Sequence, residues 1–575
     1  MLNFYDFEVF KHDWLVVIIN PANRKRTVIV NSRENLIDYY EKHKDEVWVG
    51  WNSRNYDQFI LKTILLGGNP KNTNDYLIGG GKGYQIDKRF KTIPLNDYDV
   101  KFSMNVGLKQ VEGFMGNDIQ ESSVPFDIDR KLTREELDDT IDYCTHDVEQ
   151  TIEIFLKRKS DFEAQMDLIR TFELPLSMVS MTKPQLTATI IGCRKSYHND
   201  EFVLDIVDTL KIEKYKHVIA WFRDRHNLRY DASLSTDVCG IPHTFGWGGL
   251  HGCINKPIHR KGYLLHIDVT SFYPSIMIEY DFLTRNCRNK SKFKEIYDKR
   301  VELKKAGKKK EQAPYKIILN STYGICKDQY SNAYDPRQAN NVCVNGQLLL
   351  LDLLEHLEPY CELIQSNTDG VIIQIDDTDE AYQKIDDVCY EWEQRTKMSL
   401  GFDVVNEIWQ KDVNNYILRF DNGKLERKGG YVKELDDLDN DLPIVNEAVV
   451  KFLTEGISPQ KTIEECNELK MFQKIVRLSR KYKYAHHNGN KLNETTFRVF
   501  ASLDWTDGAI TKQKDVCSTK EKFANTPARC FIYNSNVNEK PIPFKLDKTW
   551  YIDLAVKRIA DYGMSVNLEK QQELF

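Results

Sequence analysis

The chain of 575 residues contains no C-x-x-C pair, although twelve cysteines are spread from Cys144 to Cys530. That spacing excludes a zinc ribbon or an iron–sulfur cluster built from neighbouring ligands. The cysteines read instead as free thiols buried in a reducing compartment. No apolar run approaches the ~20 residues needed to cross a bilayer; the most apolar stretch, Leu348–Leu354, is far shorter. The first residues, Met-Leu-Asn-Phe-Tyr-Asp, lack a basic-then-apolar secretory signal. Repeats of fixed period and long polar tracts are also missing, which argues against a solenoid and against disorder. A soluble, cytoplasmic protein with no membrane partner is expected. An excess of positive charge is absent as well, the net charge being −6. This says little against a nucleic-acid partner, because acidic metal sites and local basic surfaces coexist in one chain.

What is present is enough for several folded units. The length exceeds what one core can hold, so three to five domains are expected. Two segments concentrate cations. Between Lys290 and Lys310 ten Lys or Arg stand against three acids, and Arg477-Leu-Ser-Arg-Lys-Tyr-Lys-Tyr-Ala-His-His487 interleaves cations with aromatics. Either could be only a solvated face.

The chain opens with Asn3-Phe-Tyr-Asp6-Phe-Glu8-Val-Phe10, whose aromatic and β-branched content predicts a strand. Alternation puts Asp6 and Glu8 on one face, about 7 Å apart. Two carboxylates so placed repel unless they are solvated or share cations. A second short apolar run, Val47–Gly50, leads into Trp51-Asn52-Ser-Arg-Asn-Tyr56-Asp57 and then an amphipathic stretch, so Asp57 sits where a loop enters a helix. Helical periodicity spans residues 139–155 and stacks Tyr143 and Asp147, four residues apart, on one face. D-x-E, N-x3-[FY]-D and Y-x3-D in this order resemble the three exonuclease motifs of family B DNA polymerases. The resemblance implies that Asp6, Glu8, Asp57 and Asp147 bind two divalent metals on an RNase H-like sheet. Tyr143 would orient the attacking water, and Asn52 and Tyr56 would hold a single-stranded 3′ end. Leu108 matches a further primer-binding motif, in which Gly107 stands where Ser or Thr is usual. Hard Mg²⁺ suits such oxygen donors.

The middle of the chain repeats the pattern of an ordered set. Phe245-Gly-Trp-Gly-Gly-Leu-His-Gly252 reads as a tight turn or strand bend. It resembles the family's Y-x-G-G/A element at Gly248 and Gly249, with Trp247 or Phe245 in place of the tyrosine. Leu264-Leu-His-Ile-Asp268-Val-Thr-Ser-Phe-Tyr273-Pro-Ser-Ile276 reads as a strand that delivers Asp268 to a turn and a helix start. It resembles D-x-x-S-L-Y-P-S-I, which implies metal binding at Asp268 and Val269 and a sugar-packing, 2′-hydroxyl-excluding role for Tyr273. Lys316, Asn320 and Tyr323 share one helix face and resemble K-x3-N-S-x-Y-G. With Arg300 and Lys304 on the preceding basic helix, these residues would bind the dNTP. Leu363–Ile375 reads as two strands around a turn and resembles the D-T-D-S hairpin. Asp369 stands at the acid that shares both metals with Asp268, while Asn367 and Gly370 replace the first Asp and the Ser. The stretch Trp409–Gly430 resembles the K-x-Y and K-G elements that hold the primer, matched by Tyr416 and Lys428.

The expected fold is therefore α/β and α+β multidomain. An RNase H-like exonuclease domain (1–155) is followed by a connecting helical region (156–240). A right hand follows, with palm (241–289 and 341–435), fingers (290–340) and a mainly helical thumb (436–575). The resemblance implies template-directed DNA synthesis with 3′→5′ proofreading, Mg²⁺ at both centres (two ions each, with Mn²⁺ an alternative), primer–template DNA and dNTPs as partners, and a monomer. It also leaves room for processivity or single-stranded-DNA-binding partners. The intervals from Asp268 to Lys316 and from Gly324 to Asn367 are short. They leave little room for the insertions of protein-primed relatives, so a phage-type replicase using a nucleic-acid primer is expected. Two rivals stand beside this reading: a nuclease whose second centre has decayed, and a non-catalytic DNA-binding scaffold.

Overall fold

The structure, a computed structural model, describes residues 1–102 and 104–566. The mixed α/β chain divides into two compact units. One unit holds residues 1–182, 435–444 and 464–551; the other holds 183–434, 445–463 and the residues from Ile552 on.

The first unit is built on a five-stranded sheet ordered Lys25–Val30, Trp14–Asn20, Leu2–Val9, Val47–Gly50, Asn96–Asp99. The first three strands pair antiparallel, and the last two continue parallel to Leu2–Val9. The alternation expected of residues 3–10 is present: Phe4 and Tyr5 pack into apolar clusters on opposite faces of the sheet. Helix Arg134–Lys157 carries a Thr133 cap and a reciprocal Glu136 contact, which fix its start. It covers one face through Cys144, Val148, Ile154 and Phe155.

Residues beyond 464 correct the expectation of a mainly helical end. After helices Pro443–Glu455 and Pro459–Glu465, the chain forms a three-stranded sheet (Lys474–Arg477, Thr496–Ala501, Cys530–Ile532). A four-stranded sheet follows (Asn490–Leu492, Tyr484–His487, Thr511–Gln513, Glu521–Lys522), and helix Lys548–Ala560 comes last. The basic–aromatic run thus lies largely in a loop and strands. These strands are two to six residues long, too short for a period of two to register against interleaved lysines. The sheets belong to the first unit. Arg498 joins them to helix Leu108–Met115: its fully buried guanidinium donates to the carbonyls of Gly113 at 3.2 Å, Asn117 at 2.7 Å and Ser535 at 2.6 Å. The end of the expected thumb, 567–575, lies outside the described residues.

The second unit is organised by a nine-stranded antiparallel sheet. Its centre runs Leu400–Asp412, Ile258–Val269, Gly370–Gln374, Glu362–Ser366. Helix Pro336–Leu357 is buried along nearly its whole length, polar residues included. Those polar groups have partners. Asn341 and Asn345 accept from the backbone N–H of Asp205 and Val207, each at 3.0 Å, and Asp352 accepts from Lys211 at 2.5 Å. One helix face thereby satisfies an irregular segment that has no sheet of its own. Helices Lys290–Lys305 and Lys309–Lys327 form a packed pair. Among the described residues no helix is long and apolar enough to cross a membrane.

Candidate active sites

In the first unit the strand Leu2–Val9 supplies Asp6 and Glu8. Helix Asp57–Leu65 begins on Asp57, and helix Arg134–Lys157 turns Tyr143 and Asp147 toward the same point. All four expected carboxylates are thus brought together, and the burial is severe: Asp57 is 1% exposed, Glu8 and Asp147 7% each. Asp57 is anchored by accepting the Phe7 backbone N–H at 3.1 Å. Burial and the neighbouring Asp147 push Asp6 up to about 7. Burial, then Asp6, Asp147 and Asp57, hold Glu8 well above the carboxylate range. Burial and Asp6 do the same to Asp57. Asp147 rises to about 6, burial outweighing the pull of Lys109. Like charges gathered out of water are the environment that divalent cations relieve, and the ligand atoms of Asp6, Glu8 and Cys144 lie within 4.8 Å of one another. The donor set fits Mg²⁺ through its carboxylates.

Sequence reasoning missed the cation already in this cluster. Lys109 contacts Asp147, lies 3.0 Å from Glu112 and sits 4.8 Å above the Tyr143 ring. Glu112 is fully buried, so Lys109 is held from behind while it faces Asp147. The pairs span long stretches of chain, and only the i,i+3 spacing of Lys109 and Glu112 was visible beforehand. Lys109→Met would leave two buried carboxylates, Glu112 and Asp147, without their shared cation, and a loss of about 3 kcal/mol is expected in urea unfolding. The double variant with Glu112→Gln should recover only part of it, since Asp147 still lacks its cation; no recovery would contradict the pairing.

The other expected first-unit residues are placed as follows. Asn52 is left-handed, with φ 61, and its N–H donates to Asp99 at 2.8 Å. The Tyr56 hydroxyl donates to Asn74 at 2.6 Å. Leu108 packs against the sheet core. Gly107 has a local reason: a Cβ there would lie 2.2 Å from the Arg477 guanidinium. Arginine from the basic run fills the space in which a Ser or Thr side chain would stand.

In the second unit, Asp268 and Gly370 face each other across adjacent strands, with Asp369 at the turn. The Asp369 carbonyl accepts the Val269 N–H at 2.7 Å. Burial and then Asp268 raise the Asp369 carboxyl above its ordinary range, while Lys428 opposes them. A cleft of about 440 Å³ opens beside it, lined among others by Tyr273, Arg300, Lys316, Asn320, Tyr323 and Asp369. Five of the six expected dNTP residues therefore meet there. Lys304, expected with them, is exposed one turn beyond Arg300 and does not line the cleft. Tyr273 and Tyr323 pack with ring centroids 4.5 Å apart. Arg300 donates to the Ser271 hydroxyl at 2.5 Å, and Ser271 itself holds a left-handed φ of 53 at the turn after Asp268. Two carboxylates bordering a cationic cleft fit divalent metal.

A smaller hollow of about 150 Å³ on the other side of Asp369 is lined by Asp268, Asn367, Tyr416 and Lys428 among others. Tyr416 is only 2% exposed, and Lys428 lies 5.8 Å over its ring. Its ring packs under Lys428. Asn367 caps its own turn, its side-chain oxygen accepting the Thr368 N–H at 2.8 Å. His266, unmarked in the sequence reading, lies 3.3 Å from Asp268. Gly246 and Gly248 are gripped by another unforeseen residue. Buried Gln347 donates to the Gly246 carbonyl at 2.7 Å and the Gly248 carbonyl at 2.8 Å. A Cβ on Gly249 would come within 2.3 Å of Thr368. Trp247 and Phe245 are core residues, Trp247 packing on Phe202 and Phe222.

Gly370 is required by its surroundings. A Cβ there would meet the Asp268 carboxylate at 2.1 Å and the Ile267 carbonyl at 2.9 Å. Gly370→Ala is expected to cost about 1–3 kcal/mol by overpacking and to displace Asp268. Gly430→Ala, which meets nothing within 4 Å, should cost far less. Equal melting temperatures for the two variants would refute this.

No family model matches the sequence, and no curated protein does. Among solved structures, the chain is similar to the family B DNA polymerase from the hyperthermophilic archaeon Pyrobaculum calidifontis. The two are 13% identical, the match covers 99% of this chain and 78% of that one, and the TM-score is 0.45. At that level of likeness the residues themselves must carry the functional reading.

Proposed function

We propose that the chain is a DNA-directed DNA polymerase of the family B type that also removes nucleotides from a 3′ end. The observation that carries this reading is the proximity of Asp268 and Asp369 beside a cleft whose wall presents Arg300, Lys316, Asn320 and the packed rings of Tyr273 and Tyr323. A triphosphate needs cations, a base needs an amide edge and a flat surface, and a sugar needs a shaped wall; the cleft offers each. Arg300 and Lys316 neutralise the triphosphate, Asn320 and Tyr323 face the nascent base pair, and Tyr273 crowds the sugar where a ribose would carry its 2′-hydroxyl. Two divalent cations held by Asp268 and Asp369 would supply the charge that activates the primer oxygen and stabilises the departing pyrophosphate. Lys428, supported by Tyr416, reaches toward the primer side of the same turn.

The carboxylate cluster of the first unit takes the nuclease role. Asp6, Glu8, Asp57 and Asp147 would hold the metals and Tyr143 would orient water, while Lys109 fixes Asp147. The 3-2-1-4-5 strand order, in chain numbering, with its antiparallel-to-parallel change, supports an RNase H-like assignment for this sheet. The nine-stranded sheet then takes the part of a palm and the packed helix pair that of fingers. Residues from 436 on take the part of a thumb, with the basic run on phosphates. A phage replicase acting as a monomer on a nucleic-acid primer remains the preferred setting.

Template direction is tested with one dNTP at a time on four primer–templates that differ in the first template base. Addition only of the complementary nucleotide is expected. Addition independent of the template would overturn the reading.

The metal requirement also has a stability signature. The buried acids of the first unit hold protons that the unfolded chain releases near pH 4. Without metal, their stabilising contribution is therefore present below about pH 4 and lost as pH rises through 6 to 7, the range to which Asp147 and Asp6 are pushed. Mg²⁺ should raise the melting temperature by several degrees at pH 8 and by much less at pH 5. Equal increments at the two pH values would contradict this cluster as the metal site.

A further inference from the structure

Cysteines enter none of the chemistry above, yet two of them face each other. Cys193, just after helix Lys183–Ile190, and Cys287, just before helix Lys290–Lys305, form an isolated antiparallel bridge. The Arg194 N–H donates to the Asn286 carbonyl at 3.0 Å, which marks the cysteines as a narrow, non-hydrogen-bonded pair. In such pairs the Cα atoms lie about 4.5 Å apart, inside the roughly 4.4–6.8 Å that a disulfide spans. The two thiols lie close enough to perturb each other's ionisation, both are free and buried, and the Cys287 thiol donates to the Ile191 carbonyl at 2.9 Å. The segment carrying Cys287 is fixed on its other side. Thr284 donates to the Ala333 carbonyl at 2.9 Å, Asn286 to the Tyr334 carbonyl at 2.7 Å, and Arg285 is paired with Asp335 and Asp200. The backbones that carry the two sulfurs are thus held opposite each other, and the Cys287 thiol adds its own bond to the Ile191 carbonyl.

We infer that Cys193 and Cys287 form a reversible disulfide site, oxidised by low-molecular-weight disulfides, that ties helix Lys183–Ile190 to the entry of the helix bearing Arg300. The Cys287 sulfur opens the reaction. Its thiol is lowered by the neighbouring Cys193, which outweighs burial with help from the Asn289 backbone, Lys290 and Lys292, and the thiolate is the attacking form. It attacks one sulfur of the small disulfide and releases one thiolate, giving a mixed disulfide on Cys287. The Cys193 sulfur then attacks Cys287 and releases the second thiolate. Two protons leave the cysteines for the two departing thiolates; the pair loses two electrons and the small disulfide gains them. Cys326 is fully buried close to both and is not part of the bond. The inference does not rest on the polymerase reading.

The test is a titration of the full chain with oxidised glutathione, followed by alkylation and peptide mapping, with exposed Cys517 as the internal reference. The expected product is a Cys193–Cys287 linked peptide, two hydrogens lighter than its parts, that dithiothreitol reverses. It should be retained in Cys326→Ala and lost in Cys193→Ala and in Cys287→Ala. Both cysteines still alkylated at a dose that fully modifies Cys517 would overturn the proposal, as would a link from either one to Cys326. The wild-type map decides the matter even where a variant fails to fold.

Discussion

Asp369→Asn is expected to abolish primer extension, by on the order of a thousandfold or more, and to leave 3′-end shortening intact. The magnitude follows from the position. A carboxylate that shared both metals, as proposed, would support several kcal/mol of charge stabilisation at the reacting phosphorus, and each 1.36 kcal/mol is about tenfold in rate. The substitution is close to isosteric, and Asp369 is raised by burial and by Asp268. Removing its charge therefore relieves repulsion, and the melting temperature should hold or rise slightly. Loss of extension together with a drop in stability would point to misfolding of the Asn367–Asp369 turn instead. Extension at the wild-type rate would remove Asp369 from the chemistry altogether.

The mirror-image result is expected for Asp57→Asn. Shortening should fall by on the order of a hundredfold or more, and extension should persist. The side chain accepts the Phe7 N–H through one oxygen, a bond that the asparagine oxygen can keep, so the strand-to-helix junction survives while one ligand charge is lost. Asp57 is fully enclosed and its carboxyl is held high by burial and Asp6. The variant should accordingly be no less stable without metal. Because Asp57 and Asp369 belong to different compact units, the two losses should be independent. Parallel loss of both activities in either variant would mean that one centre serves both reactions.

Local periodicity made much of this legible. Asp6 and Glu8 follow from alternation in a strand, Tyr143 and Asp147 from a helical turn, and Lys316, Asn320 and Tyr323 from a longer helical stripe. In each case the residues are brought together by the geometry of a single element, which a sequence displays directly. What stayed hidden depends on contacts between distant segments. Lys109 meets Asp147 across 38 residues, and Gln347 reaches the Gly246 carbonyl across 101. Glycines were ambiguous for the same reason. Gly107 and Gly370 looked like departures from a motif, yet each leaves space that Arg477 or Asp268 fills. Lys304 shows the converse limit, since sharing a face with Arg300 does not bring a side chain to the same cleft. The C-terminal sheets escaped because their strands are short, so that tertiary pairing, not local pattern, decides their form.

The most direct test of the central claim is a 5′-labelled primer on a longer template, incubated with the purified chain and Mg²⁺, with and without dNTPs. The account predicts extension to the template end when dNTPs are present and stepwise shortening when they are withheld, both abolished by EDTA. Shortening in both lanes would contradict it, leaving a nuclease whose Asp268–Asp369 centre does not join nucleotides.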